Sequence, residues 1–290
     1  MSTWPDVPQR TAAKGISAWI TRFSLPAVAV AVFPLAWQLV SAAHSPGSPN
    51  RAAGGDPVQS SVSVPAGTAL PVRLENNISL KVVQPGQPIE ARIAQDVPLP
   101  GREKIPAKSV VKGSIVSVVK DGDGTGAKVT LKFSQIDDHK DFLKISASLR
   151  AIASFKAVRS AQTPFSGADA GTPNGWADTV QIGGDIRYGD GGTVRNRAKQ
   201  KVGKGVSGGV LVHLRANPAL GCDGPVNGDD HPQALWVFSA DACGVYDLKG
   251  TRITHSGKSE PVGEITLHFE KDDAKLEAGT ALLLRAVSEP

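Results

Sequence analysis

Residues 63–119 read as short β-strands separated by proline- and glycine-containing turns, and they constrain the fold more than any other stretch. In residues 70–74 (LPVRL), apolar side chains occupy every second position, the period expected of a strand with one buried face. Residues 65–67 (PAG) precede this strand, and residues 84–88 (QPGQP) follow it. Proline presets φ and glycine accepts positive φ, so both segments predict turns.

The order of turn and apolar residues over 63–150 resembles the β-domain of the TrbI/VirB10-like proteins, which are envelope components of bacterial type IV secretion systems. The shared pattern is PAGT-x-L-x-V-R-L from residue 65, A-x-I-A-x-D-V from residue 91 and IPA-x-S-x-V-x-G from residue 105. The resemblance implies a barrel-like envelope domain. Lys108 stands where the family pattern usually has glycine. The later part of the chain has no apolar segment matching the family's membrane-crossing helix, so the resemblance does not extend to pore formation.

Composition supports a turn-rich β-protein. The chain has 31 Gly and 21 Pro among 290 residues, and both residue types are poor in helix interiors. We therefore predict a mainly β fold, with an antiparallel barrel-like or sandwich domain and a long irregular insertion. The net charge of +5 is mild and only 5% of residues are aromatic, a combination that does not favour nucleic-acid binding.

Residues 1–43 have the organisation of a secretory signal peptide, with three basic residues ahead of an uncharged run at 23–43. Ser41 and Ala43 give the small-x-small pattern of a signal-peptidase site, so we expect export and a mature chain that begins near His44. The alternative is an uncleaved membrane anchor, since about twenty residues suffice to span a bilayer. In either case the N-terminal segment engages the membrane during export, and the remainder lies in the periplasm or cell envelope.

The rest of the chain divides by composition into four parts. Residues 44–61 are rich in Pro, Gly, Ser and Ala and predict a flexible linker. Residues 62–154 form the first half of the β-domain, residues 155–206 a Gly-rich polar insertion, and residues 207–290 the second half. The insertion is expected to contain one short hairpin near residues 180–188. Because loop-closure entropy grows only logarithmically with length, we expect the fold to close without it.

Two strands and the turn before them are the clearest local features of the first half. Residues 128–133 and 143–149 alternate apolar with polar side chains, which predicts two half-buried strands. The Asp-Gly-rich residues 121–126 precede them and predict a hairpin tip. A calcium loop is the alternative interpretation, but the twelfth position from Asp121 is Lys132, where a bidentate carboxylate is needed.

Residues 64–74 and 276–286 share six identities in eleven positions, centred on Ala-Gly-Thr-Ala-Leu. The echo predicts two strands launched by the same kind of turn. If these first and last strands pair, they close a barrel and remove two exposed edges. Residues 265–269 alternate as well and predict one more two-faced strand.

Cys222 and Cys243 are the only cysteines in the chain. In an exported protein two cysteines predict one disulfide, which closes a loop of about twenty residues and contributes about 3 kcal/mol. The alternative is a metal site with His231 and either Asp229 or Asp230. It lacks the paired C-x-x-C spacing of structural zinc sites, so we expect neither a metal nor another cofactor.

The predicted insertion carries the candidate partner-binding residues. Four apolar side chains interrupt an otherwise polar tract, a composition suited to ordering on a partner, and most of the positive charge lies in the C-terminal half, which suits an acidic partner. The alternative is a loop with no binding role. The apolar candidates are Trp176, Ile182, Ile186 and Tyr188, and the basic ones are Arg187, Arg195, Arg197, Lys199, Lys201 and Lys204.

Two classes of function are compatible with these patterns. The first is a non-enzymatic envelope protein that acts as a scaffold or binding module in a secretion-type assembly, with an envelope protein or polymer as its partner. The second is an envelope hydrolase that uses His213, His231 or His255. The chain contains neither G-x-S-x-G nor H-E-x-x-H, the motifs that would anchor a hydrolytic site. We therefore expect a binding or scaffold protein rather than an enzyme.

Overall fold

A computed structural model describes most of the chain from Ser63 onwards. The predicted signal peptide and linker, residues 1–61, lie outside the described residues, as does Trp176. The described residues are 63–100, 102–138, 140–167, 170–171, 178–189, 191–224 and 231–288.

These residues form twenty strands, one α-helix and one 3-10 helix, Pro218–Leu220. The first ten strands and the helix are β1 (Ala69–Leu74), β2 (Ile78–Ser79), β3 (Pro88–Ile93), β4 (Val97–Leu99), β5 (Arg102–Ile105), β6 (Val110–Lys120), β7 (Ala127–Asp137), β8 (Phe142–Lys144), β9 (Ala147–Ala153), α1 (Phe155–Gln162) and β10 (Thr179–Val180). The others are β11 (Ile186–Arg187), β12 (Thr193–Arg195), β13 (Lys201–Val206), β14 (Gly209–Val212), β15 (Gln233–Ala234), β16 (Gly244–Tyr246), β17 (Thr251–His255), β18 (Glu264–Phe269), β19 (Lys275–Leu276) and β20 (Ala281–Ala286).

The largest sheet is barrel-like. Its strand order is β16-β9-β20-β1-β3-β6-β7-β18-β17, with β8 beside β7, and its pairs are antiparallel except for β9 with β16. Near the closing edge, the amide of Leu149 donates to the carbonyl oxygen of Ser256 at 2.8 Å. The sheet thus nearly closes on itself, which confirms the predicted mainly β, barrel-like fold.

Residues that alternate in the sequence fill the barrel. In the pair formed by β7 and β18, Val129 lies opposite Leu267 and Leu131 opposite Ile265, and all four side chains are buried. Phe133 is also fully buried. Cross-strand partners share a face of the sheet, so these residues form part of one core, as the alternation predicted.

The two echoing segments are neighbours. Strands β1 and β20 pair in an antiparallel register that places Ala69 opposite Arg285 and Arg73 opposite Ala281. The pairing that the sequence echo raised as a condition for closing the barrel is therefore present. Because β1 also pairs with β3 and β20 with β9, neither strand has an open edge.

A second antiparallel sheet, in the order β10-β11-β12-β13-β14-β15, packs on the outside of the barrel. Every residue of β9 is buried, because one face of that strand lines the barrel and the other contacts the second layer. Small side chains, among them Ala151 and Ala281, lie in one apolar cluster with Val212 and Phe238. Alanine permits this close approach, since a larger side chain between packed layers would strain both.

The segment 155–206 is more ordered than predicted. Its first eight residues form helix α1, where the Ser154 hydroxyl oxygen accepts a hydrogen bond from the Ala157 amide at 3.0 Å, the usual N-cap interaction. Strands β10 and β11 confirm the predicted hairpin. The segment also supplies β12 and β13, and the buried side chains of Ile182 and Val194 belong to the second core.

These contacts correct the predicted division of the chain. The boundary placed at residue 206 falls within the hairpin of β13 and β14, so the second sheet is built from both sides of it. The expectation that the fold closes without residues 155–206 stays a prediction, because residues after 206, among them Val212 and Phe238, also cover Ala151 and Ala281 of the barrel strands. Among the described residues, no helix is long and apolar enough to cross a bilayer.

Candidate functional site

A disulfide joins Cys222 and Cys243, as predicted, and holds their Cα atoms 6.0 Å apart. Both sulfur atoms are used in this bond, so the alternative metal site with His231 loses its thiolate ligands. Asp229 and Asp230 lie outside the described residues. Within the described part of the chain, no group of three His, Cys, Asp or Glu side chains could hold a metal ion.

Arg150 anchors the disulfide-bonded region to the barrel. It lies at a β-bulge in β9, and bulges re-aim side chains out of the regular alternation. Its guanidinium donates to the carbonyl oxygens of Ala242 (2.9 Å), Asp223 (2.5 Å) and Arg215 (2.5 Å). Burial, together with the nearby charge of Arg285, lowers the pKa of Arg150 to about 10. The side chain is still charged at neutral pH.

Asp185 fixes the turn between β10 and β11 to the second core. Its carboxylate accepts hydrogen bonds from the Ala240 amide at 2.8 Å and from the guanidinium of Arg215 at 3.3 Å. The residue is 1% exposed, and this burial raises the pKa of its carboxyl. Asp185 and Arg150 support the second sheet, and they contribute no group to its surface.

The outer face of the second sheet gathers the predicted basic residues. In the hairpin of β12 and β13, Arg195 lies directly opposite Lys201 and Thr193 opposite Lys204. A bulge opposite the step from Val194 to Arg195 places Lys201 and Lys204 on the same side as Arg195. We call Arg195, Lys201 and Lys204 the cationic face.

The cationic face carries charge without internal compensation. All three side chains are exposed, and none forms an ion pair with another residue that the structure describes. No acidic residue occurs between residues 191 and 222. Like charges directly opposite each other destabilise a strand pair, and the hydrogen bond that Arg195 Nη1 donates to the Lys199 carbonyl at 2.7 Å does not neutralise its charge.

An apolar cavity adjoins this face. It has a volume of about 430 Å³, and both Lys204 and Leu211 line it. Leu211 is the cross-strand partner of Lys204, so the cavity continues the face. Apolar walls with a few polar groups are typical of binding pockets. The other lining residues are Thr68, Pro98, Leu99, Pro100, His231, Pro232 and Gln233.

The structure separates the predicted partner-binding residues into two groups. Tyr188 is 40% exposed, and Arg195 and Arg197 are exposed near the hairpin turn. Arg187 is different: it is buried, and its Nε donates to the Thr179 hydroxyl at 3.1 Å. It belongs to the inner face because its register partner is Val194.

The apolar candidates are corrected in the same way. Ile182 is buried in the second core and Ile186 is half-buried, so Ile182 is not available to a partner. Trp176 lies outside the described residues. Lys199 is exposed at the turn between β12 and β13, where its φ is 63°.

The histidines proposed for a hydrolase lie on separate elements. His213 follows β14, His231 precedes β15, and His255 ends β17 with its Nε2 near the Pro261 carbonyl oxygen at 3.3 Å. One histidine that meets a carboxylate was missed, because alternation placed His268 on the outer face of its strand. It is 6% exposed, and its Nε2 lies 2.8 Å from Asp121 Oδ2.

The His268 pair is part of the hairpin that precedes β7. Residues 121–126 connect β6 to β7, as the hairpin prediction stated, and Asp123 Oδ1 accepts a hydrogen bond from the Thr125 amide at 3.0 Å. The second ring nitrogen of His268, Nδ1, is buried without a hydrogen-bond partner in the described region. Among the described residues, no hydroxyl or thiol is therefore hydrogen-bonded to this ring. The sequence did contain one signal for this pair: Asp121 lies in the predicted hairpin turn, where its carboxylate can reach a polar residue of a neighbouring strand.

Fold and site together define a disulfide-bonded, barrel-like β-protein with a cationic face on an outer sheet. Comparison with models of known protein families gave no match, and comparison with curated proteins gave no significant similarity.

Proposed function

We propose that this protein is a non-enzymatic β-protein of the bacterial cell envelope that acts as a binding or scaffold module for an acidic protein partner. The observation that carries the proposal is the cross-strand pair of Arg195 and Lys201, two exposed cations that no described carboxylate neutralises. A sheet that keeps like charges opposite each other gives up stability. An acidic partner recovers that stability on binding.

The cavity beside Lys204 supports a protein partner over a uniform polymer. Its apolar walls, formed in part by Leu99, Leu211 and Pro232, suit an apolar side chain flanked by carboxylates. Such a side chain supplies desolvated contact area, while the surrounding charges guide association. A polymer with charge alone would leave the cavity unused.

The envelope location is part of the same proposal. The signal-peptide pattern of residues 1–43 and the disulfide between Cys222 and Cys243 agree with an oxidising compartment. We further propose, on the pattern of residues 63–150, that the partner belongs to a secretion-type assembly of the kind in which TrbI/VirB10-like proteins occur. The barrel-like sheet is compatible with that resemblance.

The proposal is tested with two fluorescent peptides, one Glu-rich with a central Leu and one in which Ser replaces that Leu. We expect the first to bind more tightly. Replacing Arg195, Lys201 and Lys204 by Gln should weaken both at least about tenfold, because three uncompensated charges are lost. The matched control replaces Lys81, Lys120 and Lys128, which are exposed elsewhere, and changes the net charge equally. Equal losses in the two triple variants would contradict a specific site.

A further inference from the structure

A second cavity, of about 410 Å³, lies between the barrel and the second sheet and shares no residue with the cationic face. Arg73 and Arg92 approach it from β1 and β3, Lys108 from the turn before β6, and Ser207 from the turn between β13 and β14. Trp236 also lines it. The cavity thus combines cationic and neutral polar groups from several elements.

Backbone strain is concentrated at this cavity. Among the described residues, only four other than glycine have positive φ, and two of them, Lys108 (74°) and Trp236 (51°), line it. Non-glycine residues in this region carry a conformational cost, and such residues cluster at functional sites. Hydrogen bonds hold both in place: the Lys108 amide donates to the Ile93 carbonyl at 2.7 Å, and the Trp236 amide to Gln95 Oε1 at 2.8 Å.

Lys108 adopts a left-handed backbone conformation that favours glycine. Glycine adopts a φ of 74° without strain, so a lysine here is the more costly residue for the fold. The Lys108 carbonyl oxygen accepts a hydrogen bond from Arg92 Nη1 at 3.1 Å, a contact that a glycine would keep. The side chain of Lys108 therefore contributes nothing to this backbone contact and is free to serve another role.

The charges around the cavity do not cancel. Arg73 and Arg92 lie directly opposite each other, and both reach Glu75, at 3.8 Å and 2.8 Å. Asp96 is already held by Lys104, whose hydrogen bond lowers the pKa of that carboxyl together with the Ala107 amide. Lys108 is exposed and forms no ion pair with a described residue. Arg73, Arg92, Lys104 and Lys108 are four cations against the carboxylates of Glu75 and Asp96, so the cavity has two cations more than these carboxylates can balance.

We propose that this cavity binds a small ligand bearing an oxyanion, a phosphate or a carboxylate, and that Lys108 is its ionic partner. Arg73 and Arg92 add positive potential, and the Ser207 hydroxyl and the Gln162 amide can contact the polar body of the ligand. Replacing Lys108 by glycine should relieve the backbone strain and, at the same time, abolish ligand binding. This opposite response of stability and binding distinguishes a ligand-binding lysine from a structural one.

The test uses three single variants of the mature protein, Lys108→Gly, Lys108→Gln and Lys199→Gly. Lys199 is the matched control because it is also an exposed lysine with positive φ, 63°, but does not line the cavity. Inorganic phosphate and glucuronate are titrated separately at constant ionic strength while backbone amide shifts are recorded for residues 108 and 207. Melting temperatures are measured in parallel.

We expect saturable shifts in the wild type and in Lys199→Gly with at least one of the two anions, which also identifies the oxyanion. Both Lys108 variants should weaken binding at least about tenfold, the scale expected when a charge-assisted contact is lost. Only the glycine variants should melt higher, by about 2–4 °C. Wild-type shifts with neither anion, unchanged binding by Lys108→Gln, or equal weakening by Lys199→Gly would each overturn the proposal. Failure here leaves the peptide-binding experiment on the cationic face unaffected.

Discussion

Gly67 and Gly279 occupy equivalent positions at opposite ends of one strand pair. Both have a φ of 89°. The Gly67 amide donates to the Ala286 carbonyl at 2.6 Å, and the Gly279 amide donates to the Leu74 carbonyl at 2.8 Å. Residues 64–74 and 276–286 are therefore related by a local two-fold axis through the centre of the β1–β20 pair, which explains why the two segments have similar sequences.

The tight turn at Gly279 makes this position sensitive to substitution. A Cβ at residue 279 would lie 2.5 Å from Cδ2 of Phe155, and the left-handed conformation costs a non-glycine residue about 1–2 kcal/mol. We expect Gly279→Ala to lower the free energy of unfolding by about 2–4 kcal/mol, since overpacking adds to the backbone cost. Gly86→Ala is the control, because Gly86 has a φ of 81° with no neighbour within 4 Å. If urea unfolding gave the same loss of unfolding free energy for both variants, Phe155 would be moving aside without cost and the prediction would be wrong.

Much of the barrel could be predicted from the sequence because its strands are long enough to show a period of two. Strands β7 and β18 alternate over six or more residues, and the echo pointed to β1 and β20 as strands that could pair. The second sheet could not be predicted in the same way. Its strands β10, β11 and β15 have two residues each, too few for any periodicity.

The candidate sites required the structure for a related reason. A glycine-rich tract with isolated apolar residues gives no sign that Val194 is buried while Arg195, its neighbour, is exposed. The basic residues could be listed from the sequence, but the bulge that aligns Lys201 and Lys204 on one side depends on the register. Neither the positive φ of Lys108 nor its place beside a cationic cavity was predicted from the sequence.

Arg150 should be among the most important residues for stability. Its guanidinium satisfies the carbonyl oxygens of Ala242 and Asp223 in the disulfide-closed loop and of Arg215 before it, and a buried carbonyl left unpaired, such as that of Ala242, costs about 1–3 kcal/mol. We expect Arg150→Gln to lower the free energy of unfolding by about 3 kcal/mol or more. Arg285→Gln is the control, because within the described part of the chain the Arg285 side chain makes one hydrogen bond, of 3.4 Å to the Gly224 carbonyl. If chemical denaturation gave the same loss of unfolding free energy for both variants, the anchoring role of Arg150 would be contradicted.

The carboxyl of Asp185 makes stability depend on pH. Burial raises its pKa in the folded state, so the folded protein binds this proton more tightly than the unfolded chain does. The stability contributed by this group is present at low pH and is lost as pH rises from about 3.8 through the folded pKa. We expect the difference in unfolding free energy between the wild type and Asp185→Asn to decrease from about pH 4 to about pH 7. If this difference in unfolding free energy instead increased with pH in urea unfolding, the prediction would be wrong.

The central claim is that the pairing of Arg195 with Lys201 is maintained for binding an acidic partner. Arg195→Glu tests it directly, because the substitution converts a like-charged cross-strand pair into an opposite-charged one, a change of about 0.2–1 kcal/mol in favour of the fold. The decisive measurement is the affinity of this variant for the Glu-rich peptide with the central Leu, compared with the wild type at low and high salt. We predict a loss of at least about tenfold at low salt and a much smaller difference at high salt, where screening weakens exposed charges. An affinity equal to that of the wild type at low salt would contradict the account.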